Sequence, residues 1–207
     1  MADIVLEKVP DKEKFSTTLR CIKLWAKSRG IYSNVLGYFG GVSWMILVAN
    51  ICMTWPYLET NKLLKNFFEF YSKYPWNYQN PIMLLEVEHE VKYGIDKDLL
   101  YKEHQSQLMP ILTPAYPSMN STHNVSESAK SAILTELEKG LQITEALLKR
   151  DEKGNKVYPS LSWKRLFKKF NFFGAYPHFV MITVQAKTDE LQNRWLGFAE
   201  SKIRHFI

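Results

Sequence analysis

Between the pair Gly40-Gly41 and the step Trp55-Pro56 lies the run VSWMILVANICM, starting at Val42. It is apolar on every side of any helix it forms, too short to span a bilayer, and interrupted by Asn50. A helix without a polar face has to be buried. The run therefore reads as a buried helix from Ser43, and the other segments have to cover it.

Their periodicities are mostly helical. Asp11 opens a pattern in which Phe15, Leu19, Ile22 and Trp25 recur every three to four residues, and Gly30 ends it. Lys62 to Tyr74 is amphipathic through Leu64, Phe67, Phe68 and Tyr71 and stops at Pro75. Asn124 followed by Glu127 has the spacing of a capping box ahead of a long helix through Ile133, Leu134, Leu137, Leu141 and Leu148. LSWKRLFKKF reads as a short basic amphipathic helix. Thr188 is the expected N-cap of a last helix that turns Leu191, Trp195 and Phe198 inward.

The remaining segments are extended or loops. Ile4 to Val9 reads as a strand or a strap, and Ile82 to Val87 as extended chain. Glu88 to Gln107 reads as a polar surface region. HFVMITVQA, whose apolar residues run from Phe179 to Val184 with only Thr183 among them, reads as a buried strand. The stretch ILTPAYPSMNSTH is stiffened by two prolines and nearly uncharged, so Ile111, Leu112, Tyr116 and Met119 should be buried or face a ligand. One strand and one helix cannot make a sheet domain, so the last residues are expected to open a second domain whose remainder is missing. The fold class is mainly α.

The chain has 207 residues, 46% hydrophobic and 14% aromatic, which suits one large domain or one domain with part of another and excludes general disorder. A net charge of +6 favours a polyanionic partner: nucleic acid, nucleotide or acidic membrane. Cys21 and Cys52 lie in apolar helical patterns without metal or redox spacing and read as reduced core thiols of an intracellular protein. MADIVLEKVPDKEK carries acidic residues where a signal peptide needs a basic then apolar run, so the sequons at Asn120 and Asn124 should stay unglycosylated.

Chemistry concentrates at the first long helix. Arg20, Lys23 and Lys27 form one stripe opposite Phe15, Ile22 and Trp25. Such stripes are ordinarily solvated faces. Here Tyr32 and Asn34 follow, and Gly37, Gly40 and Gly41 precede the buried helix. Lysines for phosphates, a ring and an amide for a base or sugar, and open backbone N–H groups make a nucleotide constellation. Catalytic machinery is absent from the pattern. Asp96 and Asp98 have a metal-pair spacing without a strand to carry them, and His89, His104, His123, His178 and His205 are scattered. No phosphate loop, GxSxG or HExxH occurs.

LRCIKLWAKSRGIYSNVLGYFGGVSWMILVANIC, MPILTPAYPSMNSTHNVSES and WLGFAESKIR, in this order, closely resemble the eukaryotic nuclear poly(A) polymerases. The resemblance covers nearly the whole chain and is weakest from Glu86 to Gln107 and around Asp151 to Val157. It implies a nucleotidyltransferase that adds AMP from ATP to the 3′ end of pre-mRNA in the nucleus, working with cleavage and polyadenylation factors; a monomer is the default expectation, and no membrane is expected. Residues 1–170 would be the central helical domain, with 1–10 a linker from an absent nucleotidyltransferase domain. Residues 171–207 would be a truncated RRM-like RNA-binding domain. The absent domain would hold Mg or Mn on its aspartates, leaving this fragment inactive alone. By resemblance Lys23, Lys27 and Tyr32 contact the ATP triphosphate, and Asn34 contacts base or sugar. Gly41 and Val42 line the adenine pocket, Thr113 meets the adenine edge and Met119 stands beside it. Pro114 and Pro117 would fix that wall in place. The alternative is a stand-alone, non-catalytic helical module that binds RNA or protein.

Overall fold

The computed structural model describes residues 2–84, 107–115 and 118–203, and it is helical. Asp96, Asp98, His89, His104, Tyr116, Pro117 and His205 lie outside the described residues, as does most of the segment read as polar surface. Helix α1 spans Ala2–Lys8, α2 Lys12–Ser28, α3 Gly41–Thr54, α4 Thr60–Lys73 and α5 Glu127–Leu148. A 3-10 turn at Trp163–Arg165, the short α6 at Phe172–Ala175 and α7 at Asp189–Ile203 follow. Pairing between extended segments is limited, among the described residues, to isolated bridges such as Ile82 with Ile111 and Leu112 with Asn120.

The apolar run becomes α3 and is enclosed as its composition requires. Trp44, Ile46, Leu47, Val48, Ala49 and Ile51 are all buried. Helices α1, α2 and α4 pack on it, and α5 lies along α4. Aromatic edges fill the joint: Trp25 meets Trp44 at 5.7 Å and Phe68 at 4.8 Å between ring centres, close to perpendicular. Asn50, the one polar break in the run's centre, donates its amide to the Tyr71 hydroxyl at 3.1 Å, while that hydroxyl donates to the Leu47 carbonyl at 2.9 Å. The interruption thus satisfies a buried phenol, whose pKa burial drives far above the tyrosine range. Cys52 is buried beside it, and burial, aided by the Asp11 charge, pushes its thiol up to about 11. It is a protonated core residue at neutral pH, as its sequence context suggested.

Helix α5 can lie close to α4 because Gly140 has no side chain. A Cβ built there would sit 2.5 Å from two ring carbons of Phe68, itself wedged against Trp25. Gly140→Ala is expected to lower stability by about 2 kcal/mol through overpacking. A urea midpoint equal to wild type would mean that the ring has room to yield.

Five readings are corrected. Ile4 to Val9 is not a strand: residues 2–8 form α1, which places Val5 fully inside, and Val9 N–H closes the turn onto the Val5 carbonyl at 3.2 Å. The N-cap of α5 is Ser126, whose hydroxyl accepts from Ala129 N–H, while Asn124 donates its amide to the Asn34 carbonyl at 3.3 Å. LSWKRLFKKF forms only the 3-10 turn with further turns, because the chain is held across α2 by Phe170 N–H on the Ser28 carbonyl at 2.8 Å. HFVMITVQA forms neither helix nor strand and pairs with nothing among the described residues, and Val180 and Met181 are 90% and 88% exposed. A strand needs a neighbour to exist as one. Leu191, Trp195 and Phe198 of α7 are likewise exposed rather than inward. Thr188 does cap α7, accepting from Leu191 N–H at 3.3 Å.

Candidate functional site

The last two turns of α2 bury Ile22, Trp25 and Ala26, which leaves Lys23 and Lys27 on the opposite side. Gly30 then adopts φ +74°, a left-handed conformation that lets the chain leave the helix sharply. Ile31 anchors in the core, and Tyr32 pairs with Phe39 in a single parallel bridge. The loop between them reverses at Gly37, where φ is +81°. It hands the chain to α3, which starts at Gly41 rather than Ser43. Gly41 and Val42 therefore belong to the first helical turn. Its N-cap is Gly40, whose missing side chain leaves the amides of that turn uncapped.

These residues meet. Lys27 Nζ stands 5.1 Å from the centre of the Tyr32 ring. A Cβ at Gly41 would lie 2.9 Å from the Tyr32 hydroxyl and 3.7 Å from Lys23 Nζ, so the glycine leaves room for both groups at the helix start. A Cβ at Gly40 would touch the Cβ of Asn34 at 3.5 Å. Val42 is partly exposed on the same turn. Arg20, the third member of the stripe, turns back along its own helix to the Ser16 carbonyl and the Thr17 hydroxyl.

Thr113 and Met119 sit on a second piece, a narrow hairpin. Thr113 N–H donates to the Met119 carbonyl at 2.9 Å, and Met119 N–H donates to Thr113 Oγ1 at 3.0 Å. Ser118 closes the turn on the Thr113 carbonyl at 2.8 Å. Met119 is 63% exposed, whereas Ile111 and Leu112 are buried. Buried Asn120 accepts from Ile111 N–H and from Thr122, and donates to Gln107. Of the residues expected to be buried or to face a ligand, Ile111 and Leu112 are buried and Met119 is exposed, with Pro114 at the bend.

The two pieces are joined by residues that the sequence did not single out. Ser43, in the first turn of α3, lies 3.0 Å from Ser121 on the hairpin, hydroxyl to hydroxyl. Nothing marks that serine in sequence, since one hydroxyl in an apolar run reads as tolerated. Arg29 and Glu136 were also missed. Arg29 sits beyond the Lys23 and Lys27 turns and holds the buried Glu136 carboxylate through Nε at 2.5 Å and Nη2 at 3.2 Å.

The α2–α3 junction offers ammonium groups, a phenol hydroxyl and helix N–H groups, all of them donors. That set fits an anion with several oxygens. It does not fit a divalent cation, which needs oxygen ligands, and no group of three or more metal-ligating side chains occurs among the described residues. No helix there is long and apolar enough to cross a membrane.

A family model described as poly(A) polymerase central domain matches residues 14–169, and one described as poly(A) polymerase predicted RNA binding domain matches residues 171–207. The chain is 38% identical to the poly(A) polymerase pla1 of Schizosaccharomyces pombe over 100% of its own length and 35% of that protein's. It is 38% identical to nuclear poly(A) polymerase 1 and 39% identical to nuclear poly(A) polymerase 4 of Arabidopsis thaliana, over 99% of its length and 27% and 26% of theirs. It thus spans about a third or less of the relatives it matches. Among solved structures, a cytoplasmic RNA terminal U-transferase superposes with a TM-score of 0.57 at 16% identity, over 76% of this chain and 58% of that one. At that identity the likeness is one of fold.

Proposed function

The chain belongs to the poly(A) polymerase family, and from that premise we propose that the α2–α3 junction is where it holds ATP while AMP is added to an RNA 3′ end. The carrying observation is the convergence of Lys23 and the Tyr32 hydroxyl on Gly41, with Lys27 over the Tyr32 ring. In this reading Lys23, Lys27 and Tyr32 take the triphosphate, and the uncapped turn at Gly41 adds backbone donors. Asn34 bonds base or sugar, Gly41 and Val42 line the adenine, and Thr113 and Met119 close its edge.

AMP transfer between an RNA hydroxyl and ATP benefits from metal ions that stabilise attacking and leaving oxygens. The junction's donor set does not suit Mg or Mn. Most of each relative's length lies outside the matched part. We place the carboxylates and their ions there in the full-length protein. What the present residues do is fix the phosphates by charge and hydrogen bonds, so that the pyrophosphate is steadied as it leaves.

Identity along the whole chain to polymerases supports this reading over that of a stand-alone binding module. Residues 171–207 would serve the RNA, in keeping with the family description they match. Action in the nucleus, alongside cleavage and polyadenylation factors and as a monomer, completes the proposal, the nuclear part resting on the names of the plant relatives.

A primer-extension assay tests it. The full-length protein should lengthen an oligo(A) primer with ATP and Mg or Mn, and the 207-residue chain alone should not. Extension by the isolated chain would refute the division of labour; extension by neither would return the module reading.

A further inference from the structure

The two pieces of the proposed nucleotide site come from segments far apart in sequence, and one hydroxyl pair joins them. Ser43 is buried in the first turn of α3, directly after Gly41 and Val42. Its Oγ lies 3.0 Å from Ser121 Oγ and 3.4 Å from the Ser121 carbonyl. Ser121 Oγ in turn donates to the Ile111 carbonyl at 2.9 Å, and Ser121 N–H donates to the same oxygen at 2.9 Å. Because Ser121 spends its hydroxyl hydrogen on Ile111, the Ser43 hydroxyl is the donor across the gap. The rung Ile111–Ser121 is the next one along from the rung Thr113–Met119 in the same hairpin.

We propose that Ser43 and Ser121 are positioning residues for base selection: their hydroxyl pair sets the hairpin that carries Thr113 and Met119 at a fixed distance from the α3 turn that carries Gly41 and Val42. The inference rests on the nucleotide-site reading above. A base lying between these walls meets Thr113 on one side and the glycine turn on the other. Discrimination by hydrogen bonds depends on donors and acceptors staying put, since a mismatched base is rejected only if the site cannot shift to suit it. Releasing the hairpin from α3 should leave the phosphate contacts at Lys23 and Tyr32 in place while loosening the wall at the base. Neither serine touches the reacting atoms.

The test is kinetic, on the full-length protein, with ATP and GTP as substrates. Ser43→Ala and Ser121→Ala are each expected to raise KM for ATP about fivefold, the scale of one net hydrogen bond, with the larger part of the loss in KM rather than kcat. The preference for ATP over GTP should fall by a similar factor. The double variant should be no worse than Ser121→Ala alone, because Ser43→Ala removes a link that Ser121→Ala has already broken. Ser121→Thr keeps the hydroxyl and should restore the preference; it also covers the case in which Ser43→Ala fails to fold. Lys23→Ala separates the two ideas. If it weakens ATP while the serine variants leave the ATP to GTP ratio at the wild-type value, the positioning role is refuted and the site stands. If Lys23→Ala and Gly41→Ala both leave ATP use at the wild-type level as well, the site itself is refuted. Loss of stability in the serine variants with an unaltered nucleotide ratio also refutes the proposal.

Discussion

Arg29→Ala is expected to cost about 3 kcal/mol of folding stability, because it takes two of the three charged donors from the buried Glu136 carboxylate. The Glu136 side chain is 7% exposed and that of Arg29 19%, so the pair is largely withheld from water. Two guanidinium nitrogens reach the carboxylate, and Lys139 adds a third donor at 2.9 Å from the rim. Arg29 also donates to the Lys168 carbonyl at 3.0 Å and lies 5.6 Å from the centre of the Phe170 ring. Removing it therefore loosens three segments at once. Glu136→Gln should cost less, since it leaves a neutral amide and a cation near the surface. If urea unfolding finds Arg29→Ala within 1 kcal/mol of wild type, an amount expected of exposed pairs, the pair is not the lock described.

The same pair fixes an acid dependence. Burial raises the Glu136 carboxyl, but the hydrogen bonds and charges of Arg29 and Lys139 outweigh it and hold the group below the ordinary glutamate range. A carboxylate whose folded pKa is depressed stabilises the fold above its unfolded pKa, and that contribution drains away as pH falls through the folded value. The stability difference between wild type and Glu136→Gln should accordingly be constant above about pH 5 and shrink below about pH 4. A difference that grows on acidification would contradict the assignment.

Lys23→Ala in the full-length protein is expected to lower kcat/KM for ATP by about 1.5 to 3 kcal/mol in transition-state binding, the range for a hydrogen bond to a charged group. Lys23 lies within reach of Gly41 and the Tyr32 hydroxyl, so its loss removes charge from the crowded end of the site. Lys27→Ala should do less to the phosphates, because that ammonium is exposed and rests over a ring. Gly41→Ala offers an independent check: its methyl would collide with the Tyr32 hydroxyl and push it away from the helix start, lowering ATP use without any change of charge. Lys23→Ala and Gly41→Ala both matching wild type would remove this junction from the reaction.

Where burial and charge follow a single local period, the sequence was readable. Helices α2 and α4 repeat an apolar side every turn, and α3 repeats it on all sides, so each could be located from its own residues. The six site residues from Lys23 to Val42 come from a short span bent by two left-handed glycines, which is why one stretch of sequence held most of the constellation. What resisted reading depended on distant partners. Ile4 and Val5 are β-branched and favour a strand locally, yet a core contact for Val5 settles a helix. Asn124 and Ser126 are both good caps; Ser126 accepts from Ala129 N–H, while Asn124 reaches across the fold to the Asn34 carbonyl. The apolar residues around Val180 carry a strand pattern that has no pairing edge among the described residues to act on. Ser43 and Ser121 became visible only when a hairpin and a helix were set side by side.

Helix α2 serves two masters along its length. Its side at Lys23 and Lys27 looks toward the proposed nucleotide site, while its end at Ser28 and Arg29 grips the backbone at Lys168 and Phe170. For anyone wishing to graft another domain in place of the residues after Phe170, the permissible seam is therefore after Phe170 and not before it. A cut a few residues earlier would carry away the strap along with the cargo, and the graft would then hang from a helix whose own end had come undone.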